Sequence, residues 1–219
     1  MSIQNADLKK RIIEISHKNG VAHLNSCLTA VDIIEDIYQV KKPTDKFILS
    51  SGHAGLALYC VLEKHFREDI GMGYSGVDAE RLFSENGVHP HKGELIDAST
   101  GSLGHGLGIA VGMAIARRHI DVYCLISDGE CAEGSIWESL RIAEEQKLTN
   151  LKLYFNFNGL SAMGRLDTER LIVRLKSYYS GDTIIYNTNC LYIPFLSGVK
   201  GHYKILTDEE YGECINILT

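Results

Sequence analysis

Two continuous apolar runs separated by one amphipathic segment occupy the middle of the chain. The first run covers Val122 to Ile126 and the second covers Leu151 to Phe155, and apolar residues recur on one side of the segment from roughly Ser135 to Lys147. Strand, helix and strand with short connections predict a βαβ unit with two parallel strands. The carboxyl ends of both strands then lie at the same edge of the sheet, where open α/β sheets bind ligands.

Hydrophobic periodicity predicts further elements on both sides of this unit. Additional strands are expected at 46–50 and 183–186. Helices are expected at 6–18, from an N-cap at Thr29 to Tyr38, at 56–65, at 77–83, in the glycine- and alanine-rich segment 101–116, and at 166–175. The pattern indicates an α/β fold, a parallel sheet flanked by helices, with residues 1–219 forming one domain.

Composition excludes several classes of protein. The 219 residues are 45% hydrophobic and 23% charged, which is typical of a globular domain, and the net charge of −6 argues against nucleic-acid binding. The longest apolar stretch, Leu107 to Ala116, is too short and too rich in glycine to span a membrane. Six cysteines lack metal-binding spacing, and Cys60 and Cys124 fall inside apolar runs. No secretory leader precedes the charged N-terminus, so we expect a cytoplasmic location.

Polar residues follow both central strands at the point where each run ends. Asp128 comes after the first strand and Asn158 after the second. Together with a backbone carbonyl just beyond Gly159 they make an all-oxygen ligand set, which suits Mg²⁺ bridging a diphosphate. Asp, Asn and Gly are also ordinary turn residues, and the spacing alone leaves both interpretations open.

Several histidines are candidates for chemistry. His53 lies between a predicted strand and the N-terminus of a helix, a position that favours anion binding, although it fits an ordinary capping turn as well. His23 lies in the loop between the first two helices, where a histidine is more often a surface residue. His89 and His91 could chelate zinc, but no third ligand is near them in sequence.

The motif SDGECAEGSIWE, followed about thirty residues later by NFNGLSAMG, resembles the thiamine diphosphate signature of the transketolase family. The segments SSGHAG and TGSLG are similar to two other segments of that family. The resemblance implies a thiamine diphosphate-binding fold in which Asp128, Asn158 and the carbonyl of Leu160 bind Mg²⁺, or Ca²⁺ or Mn²⁺ in its place, with Gly129 against the diphosphate. Two departures are that Ser127 replaces the usual Gly and His105 the usual Gln.

The resemblance also implies roles for residues outside the central motif. The loop that lies against the cofactor is Gly101, Ser102 and Leu103. The resemblance further implies that the channel for the donor substrate is lined by four histidines with near-neutral pKa values, namely His23, His53, His89 and His202. Of these, His53 and His202 are also implied to contact the cofactor. His202 fits a solvent-facing loop equally well. Glu133 is expected to reach across a subunit interface and to contribute to both catalysis and cofactor binding.

The similarity covers the first portion of a transketolase, without the portion that binds the aminopyrimidine. We therefore expect a split enzyme, whose partner is a C-terminal subunit carrying the pyrimidine-binding domain, in an α₂β₂ heterotetramer. The implied reaction transfers a two-carbon ketol unit from a ketose or sugar phosphate to an aldehyde. Two alternatives are another thiamine diphosphate reaction, with pyruvate as donor or like a xylulose-phosphate synthase, and a non-catalytic scaffold.

Overall fold

The computed structural model describes residues 3–68, 75–161 and 163–219. Its helices are α1 (Ala6–Asn19), α2 (Leu24–Val40), α3 (Gly55–Phe66), α4 (Ala79–Asn86), α5 (His105–Ala116), α6 (Gly134–Glu145), α7 (Thr168–Tyr178), α8 (Gly198–His202) and α9 (Asp208–Ile217). Its strands are β1 (Lys46–Leu49), β2 (Val122–Ser127), β3 (Leu151–Phe157), β4 (Leu160–Ser161), β5 (Gly164–Arg165) and β6 (Thr183–Asn187). Short 3₁₀ helices cover Gly52–Ala54, Gly129–Ala132 and Pro194–Leu196.

The chain divides into two compact units, and the first is helical. It comprises residues 3–39, 53–68, 75–89 and 189–219 of the described chain. Helix α1 contacts α3 and α9, and α3 contacts α4. The apolar side of α1 predicted from sequence is buried, at Leu8, Ile12, Ile13 and Ile15. Helix α1 ends at Asn19 and is capped by Gly20, whose φ of 62° is the left-handed conformation expected of a glycine C-cap.

The second unit, residues 40–52 and 90–188 of the described chain, holds the sheet. The four strands of this sheet run parallel in the order β1-β2-β3-β6, and Ser127 at the end of β2 pairs with Asn156 of β3. Strands β4 and β5 form a separate antiparallel pair. Helix α5 contacts β1, β2, β3 and α6. The buried cluster between sheet and helices includes Ile48, Leu107, Cys124, Ile126, Ile136, Leu140, Phe155 and Leu175. The predicted βαβ unit and the predicted fold class are confirmed, whereas the extent of one domain over 1–219 stays a prediction.

Several predicted helix boundaries are wrong. The helix expected at 101–116 begins at His105, and the helix expected at 166–175 runs from Thr168 to Tyr178. Helix α2 begins at Leu24, not after Thr29, and the buried Thr29 hydroxyl donates to the carbonyl of Asn25 at 2.9 Å within the same helix. A hydroxyl satisfied in this way leaves Thr29 free to sit in a helix interior. The helix expected at 77–83 runs from Ala79 to Asn86, because Asp78 caps it by accepting from the N–H of Arg81. The sequence also predicts a glycine-rich, irregular segment at 71–98, of which residues 71–74 lie outside the described residues.

The cysteines are buried, as expected for Cys60 and Cys124 from their position inside apolar runs. All six are buried and unpaired, and Cys60 and Cys124 have no exposed surface. Within residues 3–68, 75–161 and 163–219, no helix combines the length and the apolar character required to cross a bilayer.

Candidate active site

The carboxylate of Asp128 lies against the loop that follows β3. The N–H of Asp128 donates to the carbonyl of Asn156 at 3.1 Å, so that the β2–β3 pairing continues to the start of the turn. One carboxylate oxygen accepts from the N–H of Gly159 at 2.7 Å and the other accepts from Gly129 at 2.9 Å. The prediction that Asp128 and the Asn158–Gly159 turn meet at one edge of the sheet is confirmed.

The remaining predicted oxygen ligands belong to the same loop. The side-chain oxygen of Asn158 accepts from the N–H of Leu160 at 2.9 Å, an Asx turn, and Gly159 adopts a φ of 75°. Gly129 lies close enough that a Cβ on it would stand 3.5 Å from the carbonyl oxygen of Leu160. The Asn158 amide oxygen and the Leu160 carbonyl each keep lone-pair capacity, because each such oxygen carries two acceptor sites.

Asp128 is electrostatically suited to a cation. Its exposed fraction is 1%, and burial raises its pKa to about 6 even though backbone N–H groups favour the ionised form. In the described part of the chain, no Lys, Arg or His side chain forms an ion pair with it. A divalent ion would supply the missing positive charge, and carboxylate, amide and carbonyl oxygens are the ligands that Mg²⁺ prefers. The donor set therefore fits Mg²⁺.

Sequence reasoning missed a second buried carboxylate, Glu130. It has no exposed surface and accepts four hydrogen bonds, from the Ser50 hydroxyl at 2.5 Å, the Gly104 N–H at 3.0 Å, and the N–H and hydroxyl of Ser127 at 2.9 and 3.2 Å. Burial raises the pKa of Glu130, and these four bonds oppose that shift. We call Glu130 and its three donor residues the Glu130 cluster. No local pattern signals it, because Ser50 and Gly104 lie 80 and 26 residues away in sequence.

The predicted cofactor loop, Gly101 to Leu103, is anchored at both ends. The Thr100 hydroxyl donates to the carbonyl of Leu49 at 2.6 Å, and the N–H of Gly104 donates to Glu130. Gly104 has a φ of 80°, and a Cβ there would stand 2.8 Å from the Cβ of Glu133. Glu133 itself is exposed, and its expected contact with a second protomer stays a prediction.

The two departures from the family pattern are accommodated in different ways. The hydroxyl of Ser127 has a partner within its own turn, since it donates to Glu130. His105 is exposed at the first residue of α5. Neither side chain therefore disturbs the hydrogen bonds that hold Asp128.

Three predicted histidines form a cluster in the helical unit. Nδ1 of His23 and Nε2 of His202 are 3.1 Å apart, and the His53 ring lies 5.4 and 5.9 Å from the other two ring centroids. The N–H of His23, whose φ is 65°, also donates to the carbonyl of His202 at 3.0 Å. Tyr203 packs edge-on against His23 and His202. His89 is exposed, and its charge contributes to lowering the pKa of both His23 and His53.

The prediction of near-neutral pKa values is wrong for this histidine cluster. Burial, with a smaller contribution from the neighbouring histidines, lowers the pKa of His53 to about 3, and burial and His23 lower that of His202 to about 4. The pKa of His23 is lowered too, chiefly by burial. Neutral imidazoles at pH 7 each offer one donor and one acceptor, which suits binding of hydroxyl groups more than proton release. Among described residues, no set of three His, Cys, Asp or Glu side chains is placed to hold a metal ion, and His89 and His91 gain no third ligand.

Comparisons with known proteins give one consistent result. Residues 34–180 match the family described as "Transketolase, thiamine diphosphate binding domain". Transketolase from Pongo abelii is 35% identical over 165 residues, which cover 68% of this chain and 26% of that protein. One of the subunits of apulose-4-phosphate transketolase from Phocaeicola vulgatus is 31% identical over 183 residues, which cover 75% of this chain and 63% of that protein.

Structural comparison extends the similarity to the whole chain. The crystal structure of transketolase from Campylobacter jejuni superimposes with a TM-score of 0.71 at 23% identity, covering 100% of this chain and 43% of that one. At this identity the likeness concerns the fold. The chain thus spans about a quarter of the length of the Pongo abelii transketolase and less than half of the Campylobacter jejuni structure.

Proposed function

The chain belongs to the transketolase family, and we propose that it is the diphosphate-binding subunit of a split thiamine diphosphate-dependent transketolase. The observation that carries the proposal is the buried Asp128 carboxylate, without an ion-pair partner in the described chain, in contact with the Asn158–Leu160 loop. When bound, thiamine diphosphate supplies the electron sink for breaking and forming a carbon–carbon bond beside a carbonyl.

The sheet edge would hold the cofactor's charged end. Asp128, the Asn158 amide oxygen and the Leu160 carbonyl would bind Mg²⁺, and Gly129 would leave room for the diphosphate because it has no side chain. The anchored loop of Gly101, Ser102 and Leu103 would lie against the cofactor. The family match and the fit of the oxygen donors to Mg²⁺ support these assignments.

The histidine cluster would serve the sugar substrate. Neutral imidazoles at His23, His53 and His202 can accept hydrogen bonds from hydroxyl groups and donate to them. His89 is exposed, and it interacts electrostatically with His23 and His53. We propose a ketose, free or phosphorylated, as the two-carbon donor and an aldehyde as the acceptor. His53 and His202 are also proposed as cofactor contacts.

A separate pyrimidine-binding subunit completes the proposed enzyme. The support is the similarity to a protein that is named as one subunit of a transketolase, of which this chain matches 63%. Glu133 is proposed to contact that partner, and the proposed assembly is an α₂β₂ heterotetramer in the cytoplasm.

Metal-dependent cofactor binding tests the proposal. Calorimetry with thiamine diphosphate and Mg²⁺, on the chain by itself and with the pyrimidine-binding partner, should detect binding that EDTA abolishes. Asp128→Asn keeps the shape and one acceptor oxygen and should weaken binding at least tenfold, while circular dichroism stays unchanged. Asp45→Asn is the matched control, because Asp45 is a buried carboxylate that accepts from Lys42 and Asp121 outside the site.

The outcome also separates the alternatives. Unchanged affinity of Asp128→Asn, or wild-type binding that survives EDTA, would remove the metal assignment. If neither the chain by itself nor the chain with its pyrimidine-binding partner binds thiamine diphosphate, the result would favour a non-catalytic scaffold. With binding established, mass spectrometry of products from ketose phosphates and from pyruvate, with the partner present, identifies the donor, and we expect the ketose to react.

A further inference from the structure

Glu130 joins three segments that are distant in sequence. Its carboxylate accepts from Ser50 after β1, from Gly104 before α5 and from Ser127 at the end of β2. The first two segments also touch directly. A Cβ on Gly52 would stand 2.7 Å from the backbone nitrogen of Gly101, and one on Gly106 would stand 2.6 Å from the Cβ of Ser50. The carboxylate is therefore the shared hydrogen-bond acceptor of a close-packed junction.

The junction controls a loop and a turn that the proposed function assigns to the cofactor. Residues 101–103 are held between the Thr100 hydroxyl bond to Leu49 and the Gly104 N–H bond to Glu130. The turn that presents Asp128 begins at Ser127, whose N–H and hydroxyl both donate to the same carboxylate. One side chain thus fixes the loop relative to the turn.

We propose that Glu130 is a positioning residue that sets cofactor affinity by fixing the loop of residues 101–103 relative to the Asp128 turn. This inference rests on the proposed function only for the identity of the ligand. Its effect is exerted through the backbone N–H groups of Gly104 and Ser127, which Glu130 holds in place, and not through contact with the cofactor.

Only a carboxylate of this length satisfies all the donors. One oxygen accepts from Ser50 and Gly104, and the other accepts both bonds from Ser127. An amide in place of the carboxylate points its NH₂ group at one backbone N–H, either that of Gly104 or that of Ser127. That N–H loses its acceptor, and a buried donor without an acceptor is destabilising. Glu130→Gln therefore preserves volume while releasing one end of the junction.

Amide hydrogen exchange tests the positioning directly. In the wild-type chain without cofactor, the Gly104 amide should be protected from exchange. In Glu130→Ala, exchange in the segment 100–106 should accelerate at least tenfold. In Glu130→Gln, exchange should accelerate at least tenfold at the Gly104 amide or at the Ser127 amide, whichever the NH₂ group faces. Asp45→Asn removes another buried carboxylate of the same unit and should leave that segment unchanged. If Glu130→Ala does not fold, Glu130→Gln and the wild-type protection of Gly104 decide the matter.

Cofactor binding supplies the second readout. Calorimetry with thiamine diphosphate and Mg²⁺ should give at least tenfold weaker binding for Glu130→Gln than for Asp45→Asn, even when both variants melt at the same temperature. Wild-type affinity in Glu130→Gln, or an unprotected Gly104 amide in the wild type, would overturn the inference while leaving the proposed function intact. A wild-type chain that protects Gly104 and binds no cofactor would overturn the proposed function and the affinity claim, but not the anchoring of the loop by Glu130.

Discussion

Acidification from pH 7 to pH 5 should destabilise the protein through its histidine cluster. The folded-state pKa values of His53 and His202 are about 3 and about 4, against an ordinary value of 6.5. Both imidazoles therefore stay neutral in the folded chain at pH 5, whereas unfolded histidines are mostly protonated. The unfolded state binds more protons across this window, so stability falls as the pH decreases.

The magnitude follows from proton linkage. For a histidine that titrates at 6.5 when unfolded and stays neutral when folded, the loss between pH 7 and pH 5 is about 2 kcal/mol. His53 would lose close to this amount, and the half-buried His202 would lose less because solvent screens it. The two histidines together would lose up to about 4 kcal/mol, a large part of the ~5–15 kcal/mol that typically stabilises a domain. The geometry independently supports a loss of stability on acidification. If His23 and His202 were both protonated, an N–H of one ring would face an N–H of the other across their 3.1 Å contact.

Urea unfolding of the wild type and of His202→Gln at pH 7 and pH 5 isolates the histidine contribution, because Asp128, whose raised pKa acts in the opposite direction, titrates in both proteins. His202→Gln removes one proton-linked group, and it should therefore lose up to about 2 kcal/mol less than the wild type on acidification. His119→Gln, at an exposed position of the other unit, is the control and should behave as the wild type does. Equal losses in the wild type and His202→Gln would refute the reasoning.

Three further substitutions test the turn at Asp128 and the packing of α5. Burial raises the pKa of Asp128 to about 6, so its ionised carboxylate destabilises the metal-free protein at pH 8. Asp128→Asn removes that charge and should be more stable than the wild type by up to about 3 kcal/mol. A mispaired hydrogen bond at the new amide reduces this gain by ~1 kcal/mol. The stabilisation should vanish by pH 4, where the Asp128 carboxyl of the wild type is protonated. An Asp128→Asn protein that is less stable than the wild type at pH 8 in EDTA would contradict this prediction. Gly104→Ala should destabilise the fold by at least ~2 kcal/mol in thermal melts, because φ is 80° and the added Cβ would stand 2.8 Å from that of Glu133. Gly112→Ala in α5, where an added Cβ meets nothing within 4 Å, should instead be stabilising by ~0.5–1 kcal/mol, and equal effects of the two would contradict the packing argument.

Local sequence patterns determined the central βαβ unit and the placement of Asp128 and Asn158. Apolar runs at 122–126 and 151–155 identify buried strands, and parallel strands joined by one helix necessarily present their carboxyl ends at one edge. The 2.7 Å bond between Asp128 and Gly159 is the consequence. Helix starts were less predictable, since Thr29 resembles an N-cap in sequence yet bonds to its own helix.

Tertiary structure alone decided the electrostatics and the anchoring of the loops. The Glu130 cluster combines residues up to 80 positions apart, and a glutamate in a polar turn carries no mark of its burial. The low pKa values of His53 and His202 likewise arise from desolvation and from mutual proximity, which exist only after folding. Sequence periodicity reports which side of an element is buried, but burial of a charge depends on what the rest of the chain places around it.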